Sequence, residues 1–229
     1  MTMKMRFLVA NALLWTSVAF ASPDDEVERL LGKMREVYSS TKTAKMTIKV
    51  SGPRFGKETN TIDLTYMKER KFFVKMSGSS ATNNRIRQAI SDGNQISFDD
   101  LSGHSQLSPF SLDFIPVPVN LEAMSFWDWK RQLSTEEGAN MEESEFELKR
   151  DVPWNGKKWI VLEETARGQN VYVDYYIDPK TYLIYRVKVF DIKKSQLRQE
   201  NVVIKLERNV KVDPKIFKVK TSDEKKIRF

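Results

Sequence analysis

The stretch IRQAISDGNQISFDD, residues 86–100, decides how this chain folds. Two short runs rich in strand-forming residues, 86–90 and 96–98, flank the pair Asp92-Gly93. Such runs are typical of strands with one buried face. An Asp-Gly pair between them predicts a type I′ hairpin, because both central residues of that turn need positive φ angles. The centre of the chain is therefore predicted to be a pair of antiparallel strands.

The same period of two continues on both sides of this hairpin. Alternating runs cover residues 46–50, 62–66 and 72–76 before it, and residues 159–164, 171–177, 183–190 and 202–206 after it. A second hairpin pair stands at Asn155-Gly156, and Asp178-Pro179 marks another turn. Because the connections are too short for crossover helices, neighbouring strands should be antiparallel. About ten strands are enough for the sheet to curl strongly rather than stay flat.

One amphipathic helix is predicted before the first strand. Ser22 can cap it, Pro23 suits its first position, and Asp25 places a negative charge at the positive end of the helix dipole. The apolar stripe of this helix consists of Val27, Leu30, Leu31, Met34 and Val37. The fold class is therefore α+β, with a helix packed on a curved antiparallel sheet.

The middle of the chain breaks the strand pattern. Prolines within residues 109–119 forbid a central strand, and Asn120 can cap a second helix. The apolar residues of that helix are Leu121, Met124, Phe126, Trp127, Trp129 and Leu133. They fall on more than one helix face, so the segment is either a core-capping element or a lid that faces a ligand. Residues 135–144 are predicted to form an exposed loop.

Residues 1–21 have the pattern of a cleaved export signal. Lys4 and Arg6 precede an apolar run at 7–15, and Ala19-Phe20-Ala21 forms a small-x-small cleavage site. The alternative is an N-terminal membrane anchor, for which the apolar run is short. We expect a single domain at 22–229 in the periplasm, without a lipid anchor because no cysteine follows the signal.

The composition excludes several classes of catalytic site. The 229 residues include no cysteine and one histidine, His104, so thiol catalysis, disulfides and cysteine-bound zinc are ruled out. No glycine-rich phosphate-binding motif occurs. The acidic pairs Asp99-Asp100 and Glu163-Glu164 should point to opposite faces of a strand, so neither is a catalytic dyad. We expect no cofactor, no metal and no enzymatic activity.

The charge of the chain bears on its partners. The formal net charge is +7, and the isoelectric point is about 9.4. Export disfavours nucleic acid as a partner, so the positive residues are interpreted as a solvated surface that tolerates an anionic membrane nearby. Transient contact with a membrane surface is therefore expected.

The order of these elements resembles that of the LolA/LolB-like periplasmic lipoprotein carriers. The hairpin at 92–99 is similar to the family's central hairpin, 178–181 to its turn before the late strands, and 213–217 to its closing element. Ser97 stands where relatives commonly carry an aromatic residue. Residues 68–72 lack the Arg-Pro arrangement whose arginine holds the lid in the carriers, and Arg70 is the nearest candidate for that role.

The resemblance implies an unclosed half-barrel with the N-terminal helix and the mid-chain lid helix over its concave face, enclosing an apolar cavity. The sheet would contribute Leu64, Tyr66, Phe72, Val74, Met76, Ile96 and Phe98 to the cavity. The lid would contribute Phe110, Phe114, Met124 and Trp127.

The expected ligand is an acylated lipoprotein or another lipid, exchanged by a monomer with donor and acceptor proteins of the envelope. A first alternative is an envelope stress sensor of the RseB type, in which the sheet is a docking platform. A hydrolase that uses exposed carboxylates such as Asp99 or Glu163 is the second alternative.

Overall fold

In the computed structural model of the chain, the described residues are 23–53, 60–78, 86–100, 105–109, 144–166, 170–193 and 195–219. They form one α-helix, eleven β-strands and a short 3₁₀ helix. The elements are α1 (Pro23–Ser40), β1 (Thr43–Ser51), β2 (Asn60–Met67), β3 (Lys71–Ser77), β4 (Ile86–Asp92), β5 (Gln95–Asp100), β6 (Ser105–Pro109), β7 (Ser144–Trp154), β8 (Lys157–Ala166), β9 (Val171–Ile177), β10 (Ile184–Asp191), β11 (Gln196–Arg208) and the 3₁₀ helix Pro214–Phe217.

All eleven strands belong to one antiparallel sheet. Its order is β6-β5-β4-β3-β2-β1-β11-β10-β9-β8-β7, so the first and the last of the described strands pair at its centre. Within the described part of the chain, β6 and β7 are edge strands, which agrees with an unclosed half-barrel. Pro109 ends the edge strand β6, a position where a missing N–H is tolerated. The predicted signal at 1–21, the lid helix at 120–133 and His104 lie outside the described residues.

Several irregularities interrupt the strand pairing. The register shifts between Thr47 and Ile48 against β11, between Val189 and Phe190 against β11, and again within the pairs β4–β5, β7–β8 and β9–β10. Bulges bend a strand and increase its right-handed twist. Their spread across the sheet supplies a physical cause for curling.

One face of the sheet carries the main hydrophobic core. Along β1, every second residue from Ala44 to Val50 is buried, and the same alternation runs through β2 and β3. The registers place these buried residues opposite one another, as in Met46–Leu64 and Leu64–Val74. This side is called the core face below, and the opposite side the outer face.

Helix α1 packs on the core face through its predicted apolar stripe. Leu30, Leu31 and Met34 are buried in the same cluster as the strand residues. The buried hydroxyl of Tyr38 accepts a hydrogen bond of 3.0 Å from the backbone N–H of Ile184, and burial raises the pKa of this phenol. Arg208 donates to the carbonyl of Val37 at 2.9 Å, which ties the last turn of the helix to the end of β11.

The two predicted hairpins have different turns. At Asn155-Gly156 both central residues have positive φ, 50° and 72°, as a type I′ turn requires. The prediction of the same turn type at Asp92-Gly93 is wrong, because the central residues there are Gly93 and Asn94 and only the glycine has positive φ. Asp92 belongs to the strand, and its carboxylate accepts from the N–H of Asn94 at 2.8 Å.

The 3₁₀ helix closes the described part of the chain. The Asp213 side chain caps it by accepting from the N–H of Lys215 at 3.0 Å, and Phe217 is buried. The helix lies beside β3 and β4. The resemblance at 213–217 therefore corresponds to a local capping motif that anchors an aromatic side chain.

Replacing Gly93 with alanine should lower the free energy of unfolding by about 3 kcal/mol. Gly93 has φ +102°, and an added Cβ would lie 2.4 Å from the carbonyl oxygen of Glu69 in the neighbouring turn. Positive φ costs an L-residue about 1–2 kcal/mol, and the backbone contact adds to that cost. Urea unfolding measures the change.

Gly156→Ala is the matched control for this substitution. Gly156 also has positive φ, +72°, but nothing lies within 4 Å of the added Cβ. We therefore expect a loss of only about 1 kcal/mol, from conformational strain alone. Equal losses in the two variants would contradict the close packing of the two turns.

Candidate functional site

The sheet residues predicted to line a cavity share the core face. Leu64, Tyr66, Phe72, Val74, Ile96 and Phe98 are buried, and Met76 is half-buried against them. The registers align six of these residues in two cross-strand rows, Tyr66–Phe72–Ser91–Ile96 and Leu64–Val74–Ala89–Phe98, and Met76 pairs with Ile62. The sheet therefore brings all seven predicted residues together on β2–β5. Their role in binding stays a prediction.

This apolar surface extends through the rest of the sheet. The same core cluster includes residues of β8, β9, β10 and β11, among them Leu162, Ile177 and Val187. Burial raises the pKa of the Tyr66 phenol to about 12, as expected for a hydroxyl in apolar surroundings. The predicted lid residues Phe110, Phe114, Met124 and Trp127 lie outside the described part of the chain.

Helix α1 is anchored over one half of this face. Lys33 donates to the hydroxyl of Tyr182 before β10 at 3.0 Å, and Arg150 of β7 lies 3.3 Å from the Glu26 carboxylate. Together with the contacts of Tyr38 and Val37, these interactions place the helix across β7, the start of β10 and the end of β11. The predicted cavity residues belong to the other half, on β2–β5.

Four polar side chains on the core face form two hydrogen-bonded pairs, and the sequence patterns did not indicate them. Gln199 donates to the side-chain oxygen of Asn201 at 3.0 Å, and both residues are buried. The hydroxyl of Tyr175 donates to the Glu164 carboxylate at 2.7 Å. A run such as 198–201, which is polar throughout, gives no signal for the buried face, so only the strand register could reveal these positions.

Arg70 lies at the rim of the sheet. It belongs to the turn 68–70 between β2 and β3, is exposed, and has φ +62°. The adjacent cross-strand pairs are Met67–Lys71 and then Tyr66–Phe72, so the turn stands directly beyond the apolar row. This position is close to the predicted cavity residues, while the segment that Arg70 is predicted to hold is outside the described residues.

The outer face of β7–β10 carries a coupled charge cluster. The carboxylate of Glu163 lies 2.9 Å from the ammonium of Lys149, and Asp174 pairs with Glu163 across strands β8 and β9. Burial, together with the charge of Glu163, raises the pKa of Asp174 to about 6. Glu163 and Glu164 thus point to opposite faces, as predicted, and contact different residues: Lys149 and Tyr175, respectively.

Asp174→Asn should remove a pH-dependent loss of stability. The pKa of Asp174 is raised from 3.8 to about 6 in the folded chain, so the folded state binds this proton more tightly than the unfolded state. The resulting stabilisation of the fold is fully present below about pH 4. This stabilisation is lost as the pH rises through about 6, which lowers the free energy of unfolding by roughly 1 kcal/mol for this partly solvated group. Urea unfolding of wild type and variant at about pH 4 and about pH 7.5 measures the difference.

Asp151→Asn on the exposed bulge of β7 is the control for this measurement. The unfolding free energy of this variant should vary with pH as it does in the wild type, because Asp151 is exposed to solvent. If Asp174→Asn also kept the wild-type change, the carboxyl pair would not be the cause.

The described residues contain neither a metal site nor a membrane-spanning helix. No group of three or more acidic or histidine side chains there is arranged to hold a metal ion. No helix in the described ranges is long and apolar enough to cross a membrane.

Comparison with solved structures identifies the fold. An uncharacterized conserved protein from Thermus thermophilus superposes with a TM-score of 0.55 at 11% identity, covering 86% of this chain and 96% of that one. A chain of the Pseudomonas aeruginosa MucA/MucB complex gives a TM-score of 0.51 at 12% identity, covering 85% of this chain and 61% of that one. A LolA superfamily protein from Nitrosomonas europaea gives 0.38 at 12% identity, covering 84% and 97%.

The predicted fold is thereby confirmed, since the chain shares it with the Thermus thermophilus protein and with a chain of the MucA/MucB complex. No protein-family model and no curated protein matches the sequence. The chain spans about three fifths of its match in the MucA/MucB complex. Identities of 11% and 12% support similarity of fold alone.

Proposed function

We propose that the protein is a non-enzymatic periplasmic carrier that binds the acyl chains of lipoproteins or other lipids. The observation that carries this proposal is the continuous apolar face, which runs from β5 to β8 while α1 is anchored over one half of it. An acyl chain would lie along β2–β5. Lipoprotein sorting in the envelope would be the corresponding process.

Burial of hydrocarbon supplies enough free energy for this role. A chain of about a dozen methylenes gains on the order of 10 kcal/mol when it leaves water, before the costs of association and ordering are subtracted. Binding requires no catalytic group. Release would depend on an acceptor with higher affinity, because the sequence contains no recognisable nucleotide-binding motif that could drive it.

The remaining parts of the proposal come from the sequence. Phe110, Phe114, Met124 and Trp127 would cover the acyl chain, and Arg70 would hold this lid closed. Residues 1–21 would direct export, and residues 22–229 would act as a single domain and a monomer.

Lipid analysis of the exported protein tests the proposal. The chain should be expressed with residues 1–21 in a Gram-negative host, purified from the periplasm without detergent, and examined by native mass spectrometry and lipid extraction. Co-purifying lipid or acylated polypeptide is the expected result. No bound lipid, together with tryptophan fluorescence that does not respond to added lipid, would overturn the proposal.

A protein-binding role is the second candidate, favoured by the structural similarity to a chain of the MucA/MucB complex. In that case the core face would be closed, and the outer face or a sheet edge would dock an envelope polypeptide. The same purification separates the two candidates, because the second predicts a stoichiometric polypeptide that carries no acyl chain.

Arg70→Leu should change the rate of lipid release several-fold and leave the unfolding free energy nearly unchanged. The side chain is exposed, so its loss costs the fold little, whereas a lid contact would be removed. Stopped-flow release of a fluorescent fatty acid measures the rate. Lys68→Leu in the same turn is the control, and identical rates in both variants would exclude a special role for Arg70.

A further inference from the structure

The turn between β10 and β11 exposes an apolar side chain at one end of the sheet. Ile192 is 41% exposed and directly precedes Lys193, which is exposed as well. The tight turns at the opposite end are described in full and contain no exposed large apolar residue; they comprise residues 68–70, 93–94, 155–156 and 178–183. The two ends of the sheet therefore differ in the surface that they present to a partner.

An apolar row lies beside this turn on the outer face. Tyr172, Phe190 and Leu197 are cross-strand neighbours on β9, β10 and β11, and all three are half-buried. The rings of Tyr172 and Phe190 stack with their centroids 4.8 Å apart. Together with Ile192 and Lys193, these three residues are called the hairpin tip below. The isoleucine is thus part of an apolar patch and not a single exposed residue.

Hydrogen bonds fix the backbone of the turn. The N–H of Ile192 donates to the carbonyl of Asn170, just before β9, at 3.0 Å. The N–H of Lys193 donates to the Asp191 carboxylate at 2.9 Å. Because the turn is already ordered, a partner that covers it would not have to supply the free energy of ordering the loop.

The charge of this hairpin is strongly positive. Residues 188–198 contain four basic side chains and one acidic side chain, Asp191. The guanidinium of Arg198 donates to the Asp191 carboxylate at 3.2 Å and so balances that charge within the protein. Lys193 is exposed, and its positive charge faces solvent beside the apolar patch. The formal net charge of the chain, +7, has the same sign.

The combination of aromatic, aliphatic and cationic side chains matches the surface of an anionic bilayer. Aromatic rings with a polar edge, such as that of Tyr172, are favoured at the boundary between water and hydrocarbon. An exposed aliphatic side chain such as Ile192 gains free energy when it leaves water there. A lysine near an anionic lipid surface strengthens binding about fivefold.

We propose that the hairpin tip docks on the anionic surface of a phospholipid bilayer. Docking would bring the protein to the membrane from which an acylated ligand is taken or to which it is delivered. The inference goes beyond the proposed carrier function, because the contact itself requires no bound lipid.

An environment-sensitive fluorophore tests the inference. Because the chain contains no cysteine, Ile192→Cys and Ile204→Cys each provide a single site for an NBD label. Labelled protein, purified from the periplasm, is mixed with phosphatidylcholine vesicles in which phosphatidylglycerol is about a quarter of the lipid.

The emission of the label at position 192 should rise several-fold and shift to shorter wavelength when the vesicles are added. The label at position 204 should not respond, although Ile204 is even more exposed, at 61%, on the outer face of β11. No response at position 192, or an equal response at position 204, would overturn the inference.

Charge reversal at the two ends of the sheet gives an independent measurement. Lys193→Glu should lower the partition coefficient for the anionic vesicles at least about fivefold. Lys180→Glu is the control with the same net charge, in the turn 178–183, and should have little effect. Equal losses in the two variants would show that net charge alone governs binding and would overturn the inference.

A matched apolar pair completes the set of variants. Ile192→Asp should weaken vesicle binding about tenfold, because an apolar contact is lost and a negative charge is added. Ile204→Asp adds the same charge away from the tip and should bind like the wild type. If Ile192→Asp left vesicle binding unchanged and instead released a co-purifying polypeptide, the tip would dock a protein and the inference would be wrong.

The outcomes separate this inference from the proposed function. If the protein contains lipid but the tip variants bind vesicles like the wild type, docking through the hairpin tip is wrong and the carrier function stands. If the tip variants lose vesicle binding but the purified protein contains no lipid and does not respond to it, docking stands and the carrier function is overturned.

Discussion

Phe72→Ala is expected to lower the free energy of unfolding by about 4 kcal/mol, which corresponds to a fall of roughly 10 °C in the melting temperature. Phe72 is 0% exposed on the core face of β3. Its cross-strand neighbours are Tyr66 on one side and Ser91 on the other. Removing the ring would leave a cavity that these neighbours cannot fill, and cavities in packed sheets relax only partly. Urea and thermal unfolding give the two quantities.

The next residue provides a control of the same type. Phe73 points to the outer face opposite Ile90 and is only half-buried. Phe73→Ala should therefore cost about 1 kcal/mol, because less apolar area is lost. If Phe73→Ala were the more destabilising variant, the register of β3 would be shifted by one residue and every face assignment on β2–β5 would be reversed.

The success of the sequence in predicting these faces has a simple cause. In β1, β2 and β3 each buried position carries a large apolar residue or alanine, and charged or hydroxylated residues separate them except at the half-buried Phe73. Period-two alternation in the sequence then predicts directly which residues are buried. The same reasoning separates Glu163 from Glu164 without any knowledge of their partners.

Sequence patterns were less informative for β11. Residues 202–206 were predicted as a strand, but the strand extends over Gln196–Arg208 because its first half pairs through polar residues. The bulge opposite Thr47 and Ile48 also shifts the alternation, so that Val203 is buried and Ile204 is 61% exposed. Pairing of β1 with β11 joins residues far apart in the chain, and local periodicity carries no information about such contacts.

The residues of the candidate site also differ in how well the sequence predicts them. Its seven apolar sheet residues follow from alternation, whereas the Gln199–Asn201 pair does not, since amides are ordinarily surface residues. The hairpin at 92–95 shows a similar limit at shorter range. An Asp-Gly pair indicates that the chain reverses there, but the hydrogen bonds of the Asp92 side chain decide which residues occupy the centre of the turn.

Met76→Asp should reduce the affinity for an acyl chain by a factor of at least about 100. Met76 is the last residue of β3 that points to the core face, and it is half-buried against the apolar cluster. A carboxylate there would have to be desolvated against hydrocarbon when the chain binds. Displacement of a fluorescent fatty acid measures the loss, and circular dichroism verifies the fold.

Ser77→Asp is the matched control, because the same side chain is introduced one residue later on the outer face. Ser77 is exposed and pairs with Thr61, and Lys49 of β1 occupies the same cross-strand row, so the new charge is tolerated. This variant should bind lipid like the wild type, and Met76→Leu should retain most of the affinity. Because charge, strand and location are nearly constant in the pair, a selective loss in Met76→Asp would assign lipid binding to the core face. If both Asp variants bound lipid equally well, the protein would still be a lipid carrier, but the acyl chain would not lie on the core face beside Met76.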